Sequence, residues 1–429
     1  MEKVGITKAK GFYAGILLVS LFILCPMPLS AQGETQQYPN KVEVKDNLVN
    51  VDVQDAEISD VLKEIEKGSN VKITVDQALT GKKITAKFEN KDVEGAIREV
   101  LRDHYYVLTF SQDPEKKDKC VLREVEVKNE ILGSKSSKGE MATIEIPYGS
   151  GKGEVGSNLA PPIGPRSFAV AANGDIYICD TINNRIQVFS SYGVYLSTIP
   201  LKEAIMPEDI AFDKKGDVYI LDDFRNLYQY DKKGNIISTI HVTNLRTYGE
   251  PMHIIDNTIY VYTCDSKICG EVIIGRISSS QVLVGLSEEE QKGIREKGKS
   301  TPSGKKYQTG IYDFGSLGVE ISDQGGATSK FISLPLKASD NWIAFMGEDA
   351  RGNSYFETNW LDENEKGILA VHKLDMQGHY ISTVQMQPIR GSLGTTKGYE
   401  ISRDGTIYDF RADEDKLRLY IYRFSPAGN

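Results

Sequence analysis

The feature that most constrains this chain is an internal repeat over residues 142–429. GDIYI (174–178), GDVYI (216–220), NTIYV (257–261), GNSYF (352–356) and GTIYD (405–409) each place a tyrosine after a turn residue. These tyrosines, Tyr177, Tyr219, Tyr260, Tyr355 and Tyr408, are spaced by 42, 41, 95 and 53 residues. The interval of 95 holds one degenerate unit, expected near Tyr312. A second phrase recurs out of phase: YGVYLSTI (192–199), KGNIISTI (233–240), SKFISL (329–334) and QGHYISTV (377–384). Its serines, Ser197, Ser238, Ser333 and Ser382, are spaced by 41, 95 and 49, so the same unit is missing. Two independent phrases thus agree on six units of short strands with a period of about 40 to 50 residues, the signature of a radial β-propeller. Seven units would leave about 41 residues each, tight beside the long segment 286–306.

The count also predicts how a ring would close. In the first two units the serine trails the tyrosine by 20 and 19 residues, yet Tyr408 plus 20 reaches 428 of 429. The last unit therefore lacks an outer strand, and TIEIPYG (143–149) is placed to supply it. Pro147 is tolerated there because an outermost strand has one unpaired edge, and closure removes two exposed edges.

Within the repeat, IGPRSFAVAANGDIYICDTINNRIQVFSSYGVYLSTI (163–199) resembles NHL-repeat propellers: a Pro before the inner strand, Asn-Gly at the first turn, then DTINNRIQVF. The other units are more degraded; DDFRNLYQYDKKG (222–234) has lost the Asn-Asn-Arg element. The resemblance implies the fold and says little about function, because such propellers include binding proteins and several enzymes.

Propeller ligands usually sit where the innermost strands begin. Aligning the units places Arg166, Glu208 with Asp209, His253 and Lys397 near that mouth, with Asp340-Asn341 as a further contributor. A zinc-dependent lyase needs several histidines from different blades, and of the five histidines only His253 falls there. A calcium-dependent lactonase needs converging oxygen ligands. Glu208, Asp209 and Asn341 are of that type, but Arg166 and Lys397 put positive charge at the same mouth. No catalytic residue and no resident cofactor is therefore expected, with calcium or zinc as the alternative. The mixed ring suits a polar or anionic ligand, or a partner peptide. GKGEVG (151–156) matches GxGxxG, but three prolines in 157–165 replace the helix a dinucleotide site needs. No nucleophile elbow or CxxC occurs. Within the charged segment 287–306, residues 288–297 read as a short solvated helix or a loop, with Glu288 and Lys292 at i,i+4 spacing.

Ahead of the repeat lies a small unit. VNVDVQDA (49–56) alternates as a strand; Ile58, Val61, Leu62 and Ile65 form one helical stripe ended by Gly68-Ser69. VKITVD (71–76) and KITAKFEN (83–90) read as strands, a second helix starts at Asp92, and YYVLTF (105–110) and KCVLREVEV (119–127) close the unit. The order is a split βαβ pattern. These residues, with the "DV" core of helix one, "ITVD" and "DVEGAIREVL", resemble the short N-terminal domain shared by secretins and TonB-dependent receptors. That resemblance implies a periplasmic interaction module near the outer membrane. GSKSSKG (133–139) reads as a flexible tether.

Residues 1–31 carry Lys3, Lys8 and Lys10, an apolar run from Phe12 to Leu24, and Ser30-Ala31, the layout of a secretory signal peptide. An uncleaved anchor fails on length, since thirteen residues at ~1.5 Å each fall short of a ~30 Å hydrocarbon core. Export permits disulfides, and Cys264 and Cys269 bracket four residues between strand-like runs, positioned to face each other across a hairpin; Cys120 with Cys179 is the weaker pairing, and four buried or idle thiols are the alternative. The net charge of -9 disfavours a general nucleic-acid binder.

The expectation is a multi-domain chain, α+β then all-β: signal peptide 1–31, polar tail 32–45, αβ module 46–128, linker 129–141 and a six-bladed propeller 142–429 closed by strand 143–149. Its expected role is that of an exported, non-enzymatic adaptor binding a protein or ligand in the periplasm or at the outer membrane. An envelope protein partner is implied, with no nucleic acid and no transmembrane span after signal cleavage. The alternative is a metal-dependent propeller lyase or lactonase.

Overall fold

The computed structural model describes residues 40–102, 104–113, 120–128, 140–231, 234–242, 251–264, 269–287, 295–311, 317–323, 327–334, 338–361, 367–387, 393, 395 and 397–424. The leader, the GSKSSKG tether and Tyr312 lie outside the described residues.

The chain is mostly β. It opens with β1 (Lys41–Lys45), β2 (Leu48–Glu57), α1 (Ile58–Gly68), β3 (Lys72–Val75), β4 (Lys83–Asp92), α2 (Val93–Val100), β5 (Tyr105–Gln112) and β6 (Cys120–Lys128). α1 buries Ile58, Val61, Leu62 and Ile65, and α2 buries Val93, Ala96, Ile97 and Val100. The Asp92 carboxylate accepts the Gly95 N–H at 2.7 Å, capping the start of α2. Residues 41–45, expected within the polar tail 32–45, instead pair along β2, because Val42 and Val44 alternate toward the core of this unit. The strands also form two sheets rather than one, β1-β2-β4 and a group in which β3 runs parallel to β6 and β6 pairs β5.

Beyond β7 (Glu140–Pro147) and the short hairpin β8 (Asn158–Leu159) and β9 (Pro162–Ile163), the described residues form six consecutive sheets. Sheet one is β10 (Phe168–Val170), β11 (Ile176–Asp180), β12 (Arg185–Phe189) and β13 (Tyr195–Pro200). Sheet two is β14 (Pro207–Phe212), β15 (Val218–Asp222), β16 (Asn226–Tyr230) and β17 (Ile236–His241). Sheet three is β18 (Met252–Ile255), β19 (Thr258–Cys264), β20 (Cys269–Ile277) and β21 (Leu283–Val284), with β22 (Arg295–Lys297) beside β20. Residues 295–297 are thus strand, where a short helix was one expectation. Sheet four is β23 (Lys299–Ser300), β24 (Lys305–Ile311), β25 (Leu317–Asp323) and β26 (Thr328–Leu334). Sheet five is β27 (Ala338–Glu348), β28 (Ser354–Leu361), β29 (Gly367–Leu374) and β30 (Tyr380–Gln385). Sheet six is β31 (Tyr399–Ile401), β32 (Ile407–Ala412) and β33 (Lys416–Arg423), and its fourth strand is β7, paired from Lys416↔Pro147 to Arg423↔Glu140.

The repeat tyrosines all lie on second strands and the repeat serines on fourth strands. In sheet four Tyr307 of β24 holds the second-strand place expected near Tyr312, and its hydroxyl donates to Glu348 Oε1 at 2.6 Å. Each first turn holds a positive φ: Gly174, Gly216, Asn257, Gly304, Gly352 and Gly405 lie between 65° and 88°. Such backbone favours Gly or Asn, which is why these phrases begin as they do. Neighbouring sheets share buried apolar clusters, and sheet six packs back on sheet one through Phe168 stacked on Phe410 at 4.8 Å.

One joint overturns the expectation of two loosely tethered parts. β5 pairs antiparallel with β26, from Ser111↔Thr328 to Tyr106↔Ser333, so β3, β6 and β5 extend sheet four. Tyr105 and Val107 enter the core between sheets four and five, while Phe331 enters the core of the front unit. The Tyr105 hydroxyl donates to the Gly378 carbonyl, the Arg98 guanidinium lies over the Phe331 ring at 3.9 Å, and His379 Nε2 is 3.0 Å from Glu126 Oε2. A free edge strand offers unpaired N–H and C=O groups, and β5 satisfies those of β26.

Candidate functional site

The first strands of all six sheets line a half-open cavity of about 280 Å³. Counting five residues back from each turn residue gives Ala169, Ala211, Met252, Lys299, Gly347 and Glu400, and all six line it. Of the residues picked from sequence, His253 and Lys397 line it too; Arg166, Glu208 and Asp209 do not.

Arg166, Glu208 and Asp209 are instead held in hydrogen bonds of their own. Arg166 NH1 donates to Glu208 Oε2 at 3.0 Å, with Glu208 only 3% exposed. Asp209, 1% exposed, accepts from Ser167 Oγ, from the Met252 N–H and from its neighbour Ile210 N–H. Glu208 and Asp209 are therefore buried, where their positions at strand starts suggested side chains open to a mouth. Sheet two presents them toward Arg166 and Ser167, just ahead of β10, and toward Met252 of β18, whose polar groups take up the carboxylates. Burial pushes the Asp209 carboxyl upward, against the pull of Lys397, Ser167 and Met252.

Lys397 Nζ donates to Glu400 Oε2 at 2.7 Å and lies 5.6 Å from the Phe168 ring centre. Burial alone would lower this ammonium, but Glu400 and Asp209 outweigh it and hold the group above its ordinary value. Glu400 Oε1 also accepts the Val170 N–H at 3.1 Å, tying sheet six to sheet one. His253 stacks on Tyr260 with ring centres 5.4 Å apart, and its Nε2 is 2.8 Å from Glu271 Oε1. Burial would raise Glu271, yet His253 and Ser300 hold it low. Cys179, behind the same wall, is a free thiol raised well above its usual range by burial and by Asp209 and Glu208, so it stays protonated. It forms no bridge to Cys120. Asn341 lies in a bulge of β27, and its side chain falls outside the described residues. Among the described residues, no three His, Cys, Asp or Glu side chains group to hold a metal.

Glu400, Glu271 and Ser167 were not singled out from sequence. Glu400 carries a signal, its fixed offset from Gly405; Glu271 carries none, because it sits on a third strand and reaches the site only through β20.

GKGEVG (151–156) serves a structural end. The carbonyls of Ser150, Gly151 and Glu154 accept from Arg185, whose Nε also donates to Asp180 Oδ2 at 2.7 Å. Asp180 further accepts from Asn183 and from the Gly156 N–H at 2.7 Å, so the DTINNR phrase fastens this loop.

Two family descriptions match within this region: NHL repeat over residues 163–189 and strictosidine synthase-like, N-terminal, over residues 195–220. Both support a β-propeller family. Solved structures similar to the chain include a streptogramin B lyase, at 16% identity over 60% of this chain and 78% of that one, with a TM-score of 0.32. A putative exported protein from Bacteroides fragilis is 11% identical over 70% of this chain and 98% of its own, TM-score 0.38. A member of the duf4221 family from Bacteroides vulgatus is 12% identical over 68% of this chain and 100% of its own, TM-score 0.38. No curated protein matches the sequence. Among the described residues, no helix is long and apolar enough to cross a membrane.

Proposed function

We propose that the six sheets are the blades of a six-bladed propeller acting as a ligand-binding protein of the cell envelope, with the axial cavity as its binding site. The observation that carries this reading is the cavity itself, to which every first strand contributes. Binding sites are concave, largely apolar and furnished with a few placed polar groups, and here Lys397, Glu400 and His253 are those groups. The front unit, with its resemblance to the secretin/TonB short domain, is proposed as a docking element fixed rigidly to blade four. Export through the 1–31 leader would bring the chain to the periplasm.

The test is capture by the full exported chain. Immobilised protein exposed to envelope extract is expected to retain a ligand that a Lys397→Met/Glu400→Gln variant, folded by circular dichroism, fails to retain. Identical eluates from both would overturn the axial site. Stoichiometric zinc or calcium together with turnover of a lactone would replace the binding reading with that of a propeller lyase or lactonase.

A further inference from the structure

Two of the charges around the axial cavity, Lys397 and Glu400, are already balanced by one another. Lys299 and Glu348 line the cavity beside them. Lys397 is bound to Glu400 at 2.7 Å, Glu400 also holds the Val170 N–H, and Glu348 accepts the Tyr307 hydroxyl at 2.6 Å. The Lys299 ammonium lies 5.9 Å from the Phe345 ring centre. A carboxylate entering the cavity would compete with Glu400 for Lys397, and an ammonium would compete with Lys397 for Glu400. Either exchange strands a buried charge, which is strongly unfavourable. A neutral guest disturbs none of these pairs.

The remaining wall mixes apolar side chains with the hydroxyl-bearing Ser300 and Thr301. Phe212 and Phe345 supply rings, Met346 a thioether suited to ring edges, and Val170, Ile255 and Ile401 fill the spaces between. Phe345 is itself fixed, stacked on Tyr307 at 4.1 Å and 5°. A cavity of about 150 Å³ holds one benzene ring; this one, at about 280 Å³, has room for roughly two fused rings.

We propose that the axial cavity binds an uncharged aromatic molecule of one or two rings, whose ring faces meet Phe212, Phe345 and Met346 while the Lys397–Glu400 pair stays intact. This inference rests on the axial binding reading above and names its ligand class.

Three probes that share one naphthalene ring system test it on the full chain by calorimetry at neutral pH: 2-naphthol, naphthalene-2-carboxylate and naphthalen-2-ylmethylammonium. The neutral probe is expected to bind at least about tenfold more tightly than either ion. Ile401→Trp and Val170→Trp, which fill the cavity from sheets six and one, are each expected to abolish that binding while circular dichroism stays unchanged. If both variants unfold, crystals soaked with 6-bromo-2-naphthol give the second readout, with bromine expected in the axial cavity and a bromine signal elsewhere overturning the site. Tighter binding of either ion, blocked by the tryptophans, overturns the ligand class and leaves the axial reading standing. Naphthol binding that neither folded variant weakens overturns the axial site. Absence of binding by all three probes overturns the ligand class, with the envelope capture experiment deciding the axial reading separately.

Discussion

Single residues in this chain reveal how closely its sheets are stacked. Glu357 of β28 is 5% exposed and faces Asp409, so burial first and the neighbouring carboxylate second push its carboxyl up to about 7, against the pull of Arg411. Its folded value lies above the unfolded one, so the native state holds the proton longer. Stability should then fall as pH climbs from about 4.5 to about 7, by about 3 kcal/mol, and level off above. Urea unfolding at pH 5 and pH 8 is expected to show that loss in the wild type and most of it removed in Glu357→Gln; an equal slope in both would contradict it. A paired glycine test reads the turns. A Cβ at Gly405 would lie 2.2 Å from the Tyr355 hydroxyl, whereas at Gly304, with a similar φ, it meets nothing within 4 Å. Gly304→Ala should cost about 1 kcal/mol, the left-handed backbone alone, and Gly405→Ala clearly more; equal melting temperatures for the two would count against the packing at Tyr355.

At the scale of elements, hairpins are local and register follows from them. The phrases GDIYI and YLSTI coincide with β11 and β13 because a turn glycine and a period of two are written within a few residues. β19 and β20 bring Cys264 and Cys269 directly opposite each other in register, although both side chains fall outside the described residues. A bridge there would close six residues and contribute about 2 kcal/mol on the chain-entropy account. Peptide mapping of the exported protein without reductant should find the two linked; free alkylation of both would exclude the bridge. β7 and β33 are the opposite case, a pairing of strands from the two ends of the repeat. Only the shortfall of the last unit pointed to it.

For the whole molecule, the decisive contact is β5 against β26. Removing residues 40–128 would strip the edge of sheet four and take Tyr105 and Val107 out of the core they share with Leu317, Ile332 and Phe356. The remaining chain is expected to melt several degrees lower than the full protein and to gain a protease-sensitive site near 328–334. An unchanged melting temperature would mean that the front unit is only tethered. Because the two parts share a sheet, substitutions such as Val61→Asp and Ile332→Asp should couple in stability rather than add.

What the sequence by itself determined is whatever depends on near neighbours along the chain: the spacing of tyrosines and serines, the turn glycines, the helix stripes of α1 and α2, and the cavity offset that Glu400 shares with Ala169 and Ala211. What only the tertiary structure decided is which surfaces those elements share. YYVLTF reads as the same strand whether its second edge meets water or β26. Glu208 and Asp209 at the start of an inner strand look equally suited to an open mouth or a buried network. Burial depends on partners distant in sequence, here Arg166, Ser167 and Met252 for those carboxylates and sheet four for β5, and no local pattern encodes which of them will arrive.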